Sequence, residues 1–296
     1  MKETIFDYII AGSGIAGNIC AYELARRNKT CLILEKEPFR KEKVCGGGIP
    51  HTALRILRDI DISIEELFRK DVKVVKGDVF YQNGKFVEHN YSSDSYALGT
   101  SRYLFDEFLL QQAIRQGAAI RYNETVNRID KENNIYVINA YKTRHFVSAT
   151  GARGIGKHIV NGQSVGISAQ IIGQSLLDAN KFYFWYYSDS KEKYFWIFPI
   201  GKELWNVGVW FRKPDNSMKR DFNDCVDRYI KGNFINGYSY KILPKGEFLG
   251  NIDQRNIGLD YIDGIGDFAG KNNINNGGGI IYAIQSACEY VIDEHS

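Results

Sequence analysis

A glycine-rich segment near the N-terminus has the spacing needed to bind phosphate. Gly12-Ser13-Gly14-Ile15-Ala16-Gly17 fits the pattern G-x-G-x-x-G, directly after an apolar run and at the start of a helical pattern. In such a turn the first glycine permits the bend, the second lets a pyrophosphate approach the main chain, and the third lets helix and strand pack closely. The helix N-terminus adds N–H donors and partial positive charge. The segment therefore predicts a dinucleotide site that includes Ile15 and Ala16.

An acidic residue follows at about the spacing expected of a ribose ligand. Glu35 ends the next apolar run, where its carboxylate would accept hydrogen bonds from an adenosine ribose and repel a 2′-phosphate. Lys36, the next residue, is included in the predicted cofactor site. These residues do not separate NAD from FAD.

A second motif lies near the end of the sequence. An apolar run leads into Gly266-Asp267, and Gly277-Gly278-Gly279 then opens an apolar helical pattern from Ile280. In this arrangement the chain resembles the flavoprotein monooxygenase and geranylgeranyl reductase superfamily. The resemblance implies that Asp267 binds the ribityl chain of FAD, and that N–H groups near Gly277 to Ile280 stabilise negative charge on the reduced flavin. The amides of the intervening stretch, residues 271–276, either bind a polar group or shape the turn.

Two shorter segments extend the resemblance. Arg102, followed by Phe105-Asp106, is similar to the family's arginine at the start of a helix, and it is expected to approach the FAD pyrophosphate. Thr150-Gly151 lies in a segment similar to the family's turn beside the adenine and pyrophosphate. Both residues of this pair are predicted to bind the cofactor.

Two further segments resemble the geranylgeranyl reductase branch. The branch's K-x-C-G-G segment is similar to Lys43-Val44-Cys45-Gly46-Gly47. Its Y-x-W-x-F-P motif is similar to Tyr194-Phe195-Trp196-Ile197-Phe198-Pro199, and its later N-V-G-x-G motif is similar to the segment that begins Asn206-Val207-Gly208. We predict that Lys43 and Gly46 contact the cofactor. Cys45 touches substrate or flavin, or is an inert buried residue. Tyr194 and Trp196 share a strand face with Phe198, which either walls an apolar substrate cavity or is plain core.

The elements that position these motifs are predicted from apolar patterns. Two apolar runs, residues 6–11 and 30–34, predict buried strands on either side of a helix. This order predicts a right-handed βαβ unit. Residues 105–117 have helical spacing and a glycine stop. Aromatic runs between residues 164 and 212 favour an antiparallel sheet with one covered face.

Motif order and pattern together predict an α/β fold. The resemblance implies a Rossmann-like FAD-binding domain of the p-hydroxybenzoate hydroxylase-like type with an inserted antiparallel β-sheet substrate domain. We expect residues 1–70, 96–155 and 256–296 to form the FAD-binding domain. Residues 71–95 and 156–255 would form the substrate domain.

Composition narrows the class of protein. The 296 residues are 44% hydrophobic and 25% charged, which predicts a folded globular chain rather than disorder, collagen or coiled coil. A net charge of +3 gives no reason to expect nucleic-acid binding. Five scattered cysteines predict free thiols in a reducing cytoplasm, and the five histidines have no metal-ligand spacing, so no metal is predicted. No apolar stretch is long enough to span a bilayer, whereas peripheral membrane contact stays open.

The resemblance implies an FAD-dependent oxidoreductase that transfers hydride from reduced flavin to an apolar or unsaturated small molecule, with a lipid as one candidate. Two alternatives remain: a flavin-dependent monooxygenase or halogenase-like enzyme, and a flavin-binding electron-transfer module. No second G-x-G-x-x-G occurs, so the electron donor is left open between NAD(P)H and another carrier.

Overall fold

The computed structural model describes residues 4–38, 42–82, 84–152, 154–155, 164–186, 192–249, 262–273 and 275–293. The helices are α1 Ile15–Ala25, α2 His51–Asp59, α3 Arg102–Arg115, α4 Met218–Cys225 and α5 Ile280–Asp293. The strands in the first half of the chain are β1 Ile5–Ala11, β2 Cys31–Leu34, β3 Gly48–Ile49, β4 Lys73–Val75, β5 Gly77–Gln82, β6 Lys85–Asn90, β7 Ala97–Gly99, β8 Ala119–Arg121, β9 Ile129–Glu132, β10 Ile135–Ile138 and β11 Tyr141–Ser148. The later strands are β12 Val165–Ser175, β13 Lys181–Tyr186, β14 Lys193–Gly201, β15 Leu204–Phe211, β16 Phe234–Phe248 and β17 Asp263–Gly264.

The first sheet carries the predicted βαβ unit. Its order is β8-β2-β1-β11-β10-β9, with β17 beside β11. The pairs β8–β2, β2–β1, β1–β11 and β11–β17 are parallel, while β9 and β10 extend the sheet in antiparallel fashion. All four residues of β2 are buried, as the continuous apolar run predicts for a strand covered on both faces.

Three helices cover one face of this sheet. α1 packs against both α3 and α5, and their apolar side chains form one buried core with β1 and β2. α3 begins at Arg102, three residues before the predicted start, because Ser101 caps it: its Oγ accepts a hydrogen bond from the Leu104 N–H at 3.2 Å.

The second sheet corrects the prediction in two respects. Its order is β16-β12-β15-β14-β13-β5-β6, and β5 pairs with β13 in parallel, so the sheet is not wholly antiparallel. It is also covered on both faces at its centre, where every residue of β15 is buried. One face packs against α4 and the π-helical turn Val226–Ile230. The other carries an aromatic cluster that contains Trp196, Phe198 and Trp210.

Two other features were not predicted. β16 is a 15-residue edge strand whose side chains are mostly exposed. A small sheet, β3-β7-β4, places the Gly48 segment next to β7. The predicted domain boundaries near 155/156 and 255/256 adjoin residues outside the described ranges, so the two-domain division stays a prediction.

Candidate active site

One cavity of about 700 Å³ brings nearly all of the predicted site residues together. It is lined by predicted residues from both sheets: Gly12, Gly14, Ile15, Ala16, Glu35, Lys36, Lys43, Cys45, Gly46, Arg102, Thr150, Gly151, Tyr194, Trp196, Gly266, Asp267, Gly277, Gly279 and Ile280. Of the predicted set, only Gly17 and Gly278 are absent from the lining. Motifs that are far apart in the sequence therefore meet at one site.

The glycine turn at one end of the cavity is held by main-chain contacts. Gly12 has a φ of +103°, and a Cβ at that position would lie 2.6 Å from the Ala149 carbonyl oxygen. A Cβ at Gly17 would lie 2.0 Å from the Gly12 carbonyl oxygen, so Gly17 acts by letting α1 pack onto the turn. At Gly14 the nearest atom to such a Cβ is the Lys43 ammonium nitrogen, 3.0 Å away.

Two polar groups border this turn. The Glu35 carboxylate accepts hydrogen bonds from the N–H groups of Ser13 and Glu37, at 2.8 and 3.1 Å, which fixes it at the cavity wall. Thr150 shares a hydrogen bond with Ser148, 2.9 Å between hydroxyl oxygens, and Gly151 next to it has a φ of +77°. Both segments line the cavity, and their contacts with adenine and ribose stay a prediction.

Arg102 is not a surface residue. Its guanidinium donates to both oxygens of Asp106, at 2.8 and 3.0 Å, in a bidentate pair one helical turn apart. Burial opposes the charge on Arg102, but Asp106 and Cys45 outweigh it and raise the pKa of the guanidinium. The Lys43 ammonium lies 3.7 Å from the same carboxylate. The predicted role of Arg102 toward a pyrophosphate stays a prediction, because part of its hydrogen-bonding capacity is committed to Asp106.

Glu42 is a site residue that the sequence reading missed. Its carboxylate accepts from the N–H groups of Arg102 and Tyr103, at 2.8 and 3.3 Å, and so caps α3 from outside the helix. Burial raises the pKa of Glu42, although these hydrogen bonds and the Arg102 charge act in the opposite direction. The i, i+4 spacing of Arg102 and Asp106 was visible in the sequence, whereas nothing in the spacing indicated Glu42.

Aromatic side chains of β14 form the opposite wall of the cavity. The Tyr194 hydroxyl donates to the Asn276 carbonyl oxygen at 2.8 Å, and the Trp196 indole N–H donates to Asn206 Oδ1 at 2.8 Å. Burial raises the pKa of Tyr194, with smaller contributions from Tyr186 and Cys45. Tyr194, Trp196 and Phe198 all line the cavity, as the wall hypothesis for this strand requires.

The glycine segment after Cys45 lies against this aromatic wall. A Cβ at Gly46 would lie 2.7 Å from a ring carbon of Phe198 and 3.2 Å from the Trp196 indole nitrogen. The Cys45 thiol accepts from the Gly47 N–H at 3.5 Å, and Cys45 is half-buried at the cavity. The main chain of this segment therefore lies close to two of the protein's own aromatic rings.

The entry of α5 corrects one detail of the prediction. The Gly277 N–H donates to the Asn273 carbonyl oxygen at 2.7 Å, and the Gly278 N–H donates to Asn276 Oδ1 at 2.9 Å. These two N–H groups are therefore already used and do not stabilise charge on a ligand. Asp267 lines the cavity from a short 3-10 helix, next to Gly266, whose N–H donates to Ser286 Oγ at 2.9 Å.

The donor set and the shape of the cavity fit FAD. A glycine turn, a helix N-terminus, a fixed carboxylate at Glu35 and the Asp267 carboxylate line one cavity, and these are groups that can bind phosphates, ribose and ribityl hydroxyls. Two cavity-lining residues, Trp210 and Asn272, also keep a buried polar atom without a hydrogen-bond partner. In the part of the chain that is described, no cluster of three or more His, Cys, Asp or Glu side chains has a geometry for metal binding. No described helix is long and apolar enough to cross a membrane.

Comparison with known proteins supports the cofactor assignment. Residues 7–78 match the family model described as an FAD binding domain. The conditioned medium factor receptor 1 of Dictyostelium discoideum is 28% identical over 51% of this chain and 34% of its own length. The digeranylgeranylglycerophospholipid reductase 3 of Methanosphaera stadtmanae is 24% identical over 95% of this chain and 75% of its length. The chain thus spans about a third of the first relative and three-quarters of the second.

Solved structures of the same fold include a reductase-like protein and a halogenase. A geranylgeranyl bacteriochlorophyll reductase-like protein of Thermoplasma acidophilum superposes with a TM-score of 0.79, at 20% identity over 98% of this chain and 78% of that protein. The halogenase PltM superposes with a TM-score of 0.77, at 18% identity over 97% of this chain and 69% of that protein. The predicted α/β flavoprotein fold, the resemblance to geranylgeranyl reductases and the FAD cofactor are confirmed.

Proposed function

We propose that this protein uses FAD to reduce a carbon–carbon double bond in an apolar, lipid-like small molecule. The observation that carries the proposal is the aromatic wall of β14, which packs against the Cys45–Gly46 segment and lines the same cavity as the nucleotide motifs. A substrate cavity is mostly apolar with a few placed polar groups, and this wall has that character. The lipid-reductase relative supports the same substrate class.

Residues at one end of the cavity bind the cofactor, and residues at the other end bind the substrate. Bound FAD, once reduced, supplies the hydride chemistry. The Gly12–Gly17 turn and the α1 N-terminus hold the pyrophosphate, Glu35 holds the adenosine ribose, and Asp267 holds the ribityl chain. At the other end, Tyr194 and Trp196 exclude water and orient the apolar chain of the substrate, since their polar atoms are already bonded to Asn276 and Asn206.

Cys45 is assigned a contact role with the substrate. It is half-buried at the cavity, between the Arg102 guanidinium and the Gly47 N–H. The bidentate pair with Asp106 holds the Arg102 guanidinium in position beside Cys45. Of the four other cysteines, those at 20, 31 and 225 are buried, and burial raises the pKa of each of these thiols, so they are inert.

Anaerobic turnover of an unsaturated isoprenoid lipid tests the proposal. The protein, reduced in turn with NAD(P)H and with dithionite, is mixed with the lipid in detergent micelles, and saturation of the double bonds is followed by mass spectrometry. We expect reduction by the wild type and a loss of about 10- to 100-fold in kcat/KM for Trp196→Ala with FAD retained, because a cavity-wall ring is lost. Trp205→Phe is the matched control, because Trp205 is buried on the other face of the sheet and donates to the Gly173 carbonyl oxygen.

Three outcomes of this experiment contradict the proposal. Unchanged turnover in Trp196→Ala removes the aromatic wall from the mechanism. Oxygen consumption that depends on substrate, with no anaerobic saturation, identifies a monooxygenase or halogenase-like enzyme instead. Reoxidation only by a protein partner identifies an electron-transfer module. Association of the protein with lipid vesicles, measured by sedimentation, tests the proposed peripheral contact with a membrane.

A further inference from the structure

Two buried polar atoms at the α5 end of the cavity have no hydrogen-bond partner. They are the indole nitrogen Nε1 of Trp210 and the amide oxygen Oδ1 of Asn272. The two residues are 2% and 3% exposed, and both line the cavity. A buried polar atom without a partner costs stability, and such atoms are rare in native proteins unless a ligand or water satisfies them.

Both residues lie beside the glycine run that opens α5. A Cβ at Gly277 would lie 2.4 Å from Trp210 Nε1, and a Cβ at Gly279 would lie 3.9 Å from the Asn272 Cβ and 3.3 Å from Asp267 Oδ1. α5 is 14 residues long, so its N-terminus carries the partial positive charge of a full helix dipole. A donor, an acceptor and a positive helix end thus converge next to the predicted ribityl ligand.

The chemistry of these groups selects their ligand. A ligand that satisfies both atoms must present an acceptor to the indole N–H and a donor to the amide oxygen. It must also gain from the helix end when it becomes negatively charged. A cyclic imide edge, in which carbonyl oxygens flank a ring N–H, has these properties, and the pyrimidine edge of the FAD isoalloxazine is such an edge.

We propose that Trp210 Nε1 and Asn272 Oδ1 bind the pyrimidine edge of the flavin, the first by donating to a ring carbonyl and the second by accepting from the ring N–H. The inference rests on FAD occupying the cavity as in the proposed function, and it adds two side chains to the site. Trp210 takes the last position of the N-V-G-x-G pattern, where the pattern has glycine, so this indole is a feature of the present chain. Tyr194 packs against it with ring centroids 5.6 Å apart and fixes its orientation.

FAD binding to the apoprotein separates this role from a merely structural one. The variants are Trp210→Phe and Asn272→Leu, with Trp205→Phe as the control because its indole N–H already has a carbonyl partner away from the cavity. We expect Kd for FAD, measured by flavin fluorescence quenching, to rise about 10-fold in each variant, which is about 1.4 kcal/mol. We expect no change of Kd in Trp205→Phe.

Two further readouts complete the test. The melting temperature of Asn272→Leu apoprotein should equal or exceed that of the wild type, because an unsatisfied buried oxygen is replaced by an apolar group of similar size. The flavin midpoint potential should fall in Trp210→Phe, because the lost donor stabilises charge on the reduced ring. An unchanged Kd and an unchanged potential in both variants would overturn the inference. A wild type that binds FAD in this way but saturates no lipid would overturn the proposed function and leave this inference standing.

Discussion

The two ends of the cavity are shaped by different kinds of atoms. At the nucleotide end, Gly12 and Gly17 are closed in by carbonyl oxygens of Ala149 and Gly12, at 2.6 and 2.0 Å from the position of a Cβ. At the aromatic end, Gly46 and Gly277 are closed in by the side chains of Phe198 and Trp210, at 2.7 and 2.4 Å. At the nucleotide end the main chain determines the shape of the cavity, and a substitution cannot move it out of the way. At the aromatic end side chains determine the shape, and replacing one of these side chains can alter it. The nucleotide end is therefore intolerant of change, and the aromatic end is where specificity can vary.

The largest effect is expected from Gly17→Ala. Its Cβ would overlap a main-chain oxygen that belongs to the phosphate-binding turn itself, and overpacking of this kind costs about 1–3 kcal/mol or more. We expect FAD affinity to fall by at least about 100-fold, measured by fluorescence titration. Gly232→Ala is the control, because nothing lies within 4 Å of a Cβ there.

A rescue attempt sharpens this prediction. The Ala149 side chain is also near, 3.2 Å from the added Cβ, but Ala149→Gly leaves the carbonyl clash in place. The double variant should bind FAD no better than Gly17→Ala. Recovery in the double variant would show that side chains, not the main chain, shape this end.

A smaller effect, which a second substitution should partly restore, is expected from Gly46→Ala. The added Cβ meets a ring carbon of Phe198, so we expect the free energy of unfolding to fall by about 1–3 kcal/mol in a denaturant titration. Phe198→Leu in the same chain should recover about 1 kcal/mol, because the obstructing ring is removed. Strictly additive losses in the two variants would contradict the comparison between the two ends.

The smallest effects are expected from two carboxylates, one in each sheet. For Asp78 on β5, burial raises the pKa above the ordinary value of 3.8, so its contribution to stability is full below that pH and is lost as pH rises through the raised value. For Asp7 on β1, burial is outweighed by hydrogen bonds from Thr30 and by Arg144, which lower the pKa. Its contribution is present above pH 3.8 and is lost as pH falls through the lowered value.

Opposite pH profiles follow from these two shifts. Relative to the wild type, Asp78→Asn should gain stability as pH rises from 3 to 7, whereas Asp7→Asn should lose it over the same change. Each difference should stay within about 1 kcal/mol, because both groups are partly accessible to solvent. Melting temperatures of the three proteins across this pH range provide the check, and parallel profiles for the two variants would refute the opposite signs.

The sequence predicted those parts of the site whose residues are constrained by the main chain. The G-x-G-x-x-G turn and Glu35 have spacings set by backbone geometry, so their positions were readable without a structure. The Gly266-Asp267 turn was identified through the resemblance to a known family. Strand pairing was not readable in the same way. The parallel pair of β5 and β13 joins residues about a hundred positions apart, and no local pattern encodes such a partner.

Other features escaped prediction because their signal was weak. β16 is an edge strand with mostly exposed side chains, so it has neither an apolar run nor a clear alternation. In the sequence, Trp210 is one of several aromatic residues in a predicted buried strand. Only the folded chain shows that its indole nitrogen has no hydrogen-bond partner. Glu42 acts at the start of α3 from 60 positions away, a capping contact that a local motif cannot indicate.

The interleaving of the two sheets along the chain has a consequence for how the protein is made. β5 and β6 are synthesised about a hundred residues before β13, with which β5 pairs. The apolar face of α1 is covered in part by α5, which is synthesised much later. While the ribosome is still adding α5, the aromatic strands β13 to β15 have already left the exit tunnel, and the nucleotide-binding part of the chain is incomplete. Long-range pairing of this kind slows folding and prolongs the exposure of apolar strands while the chain is being made.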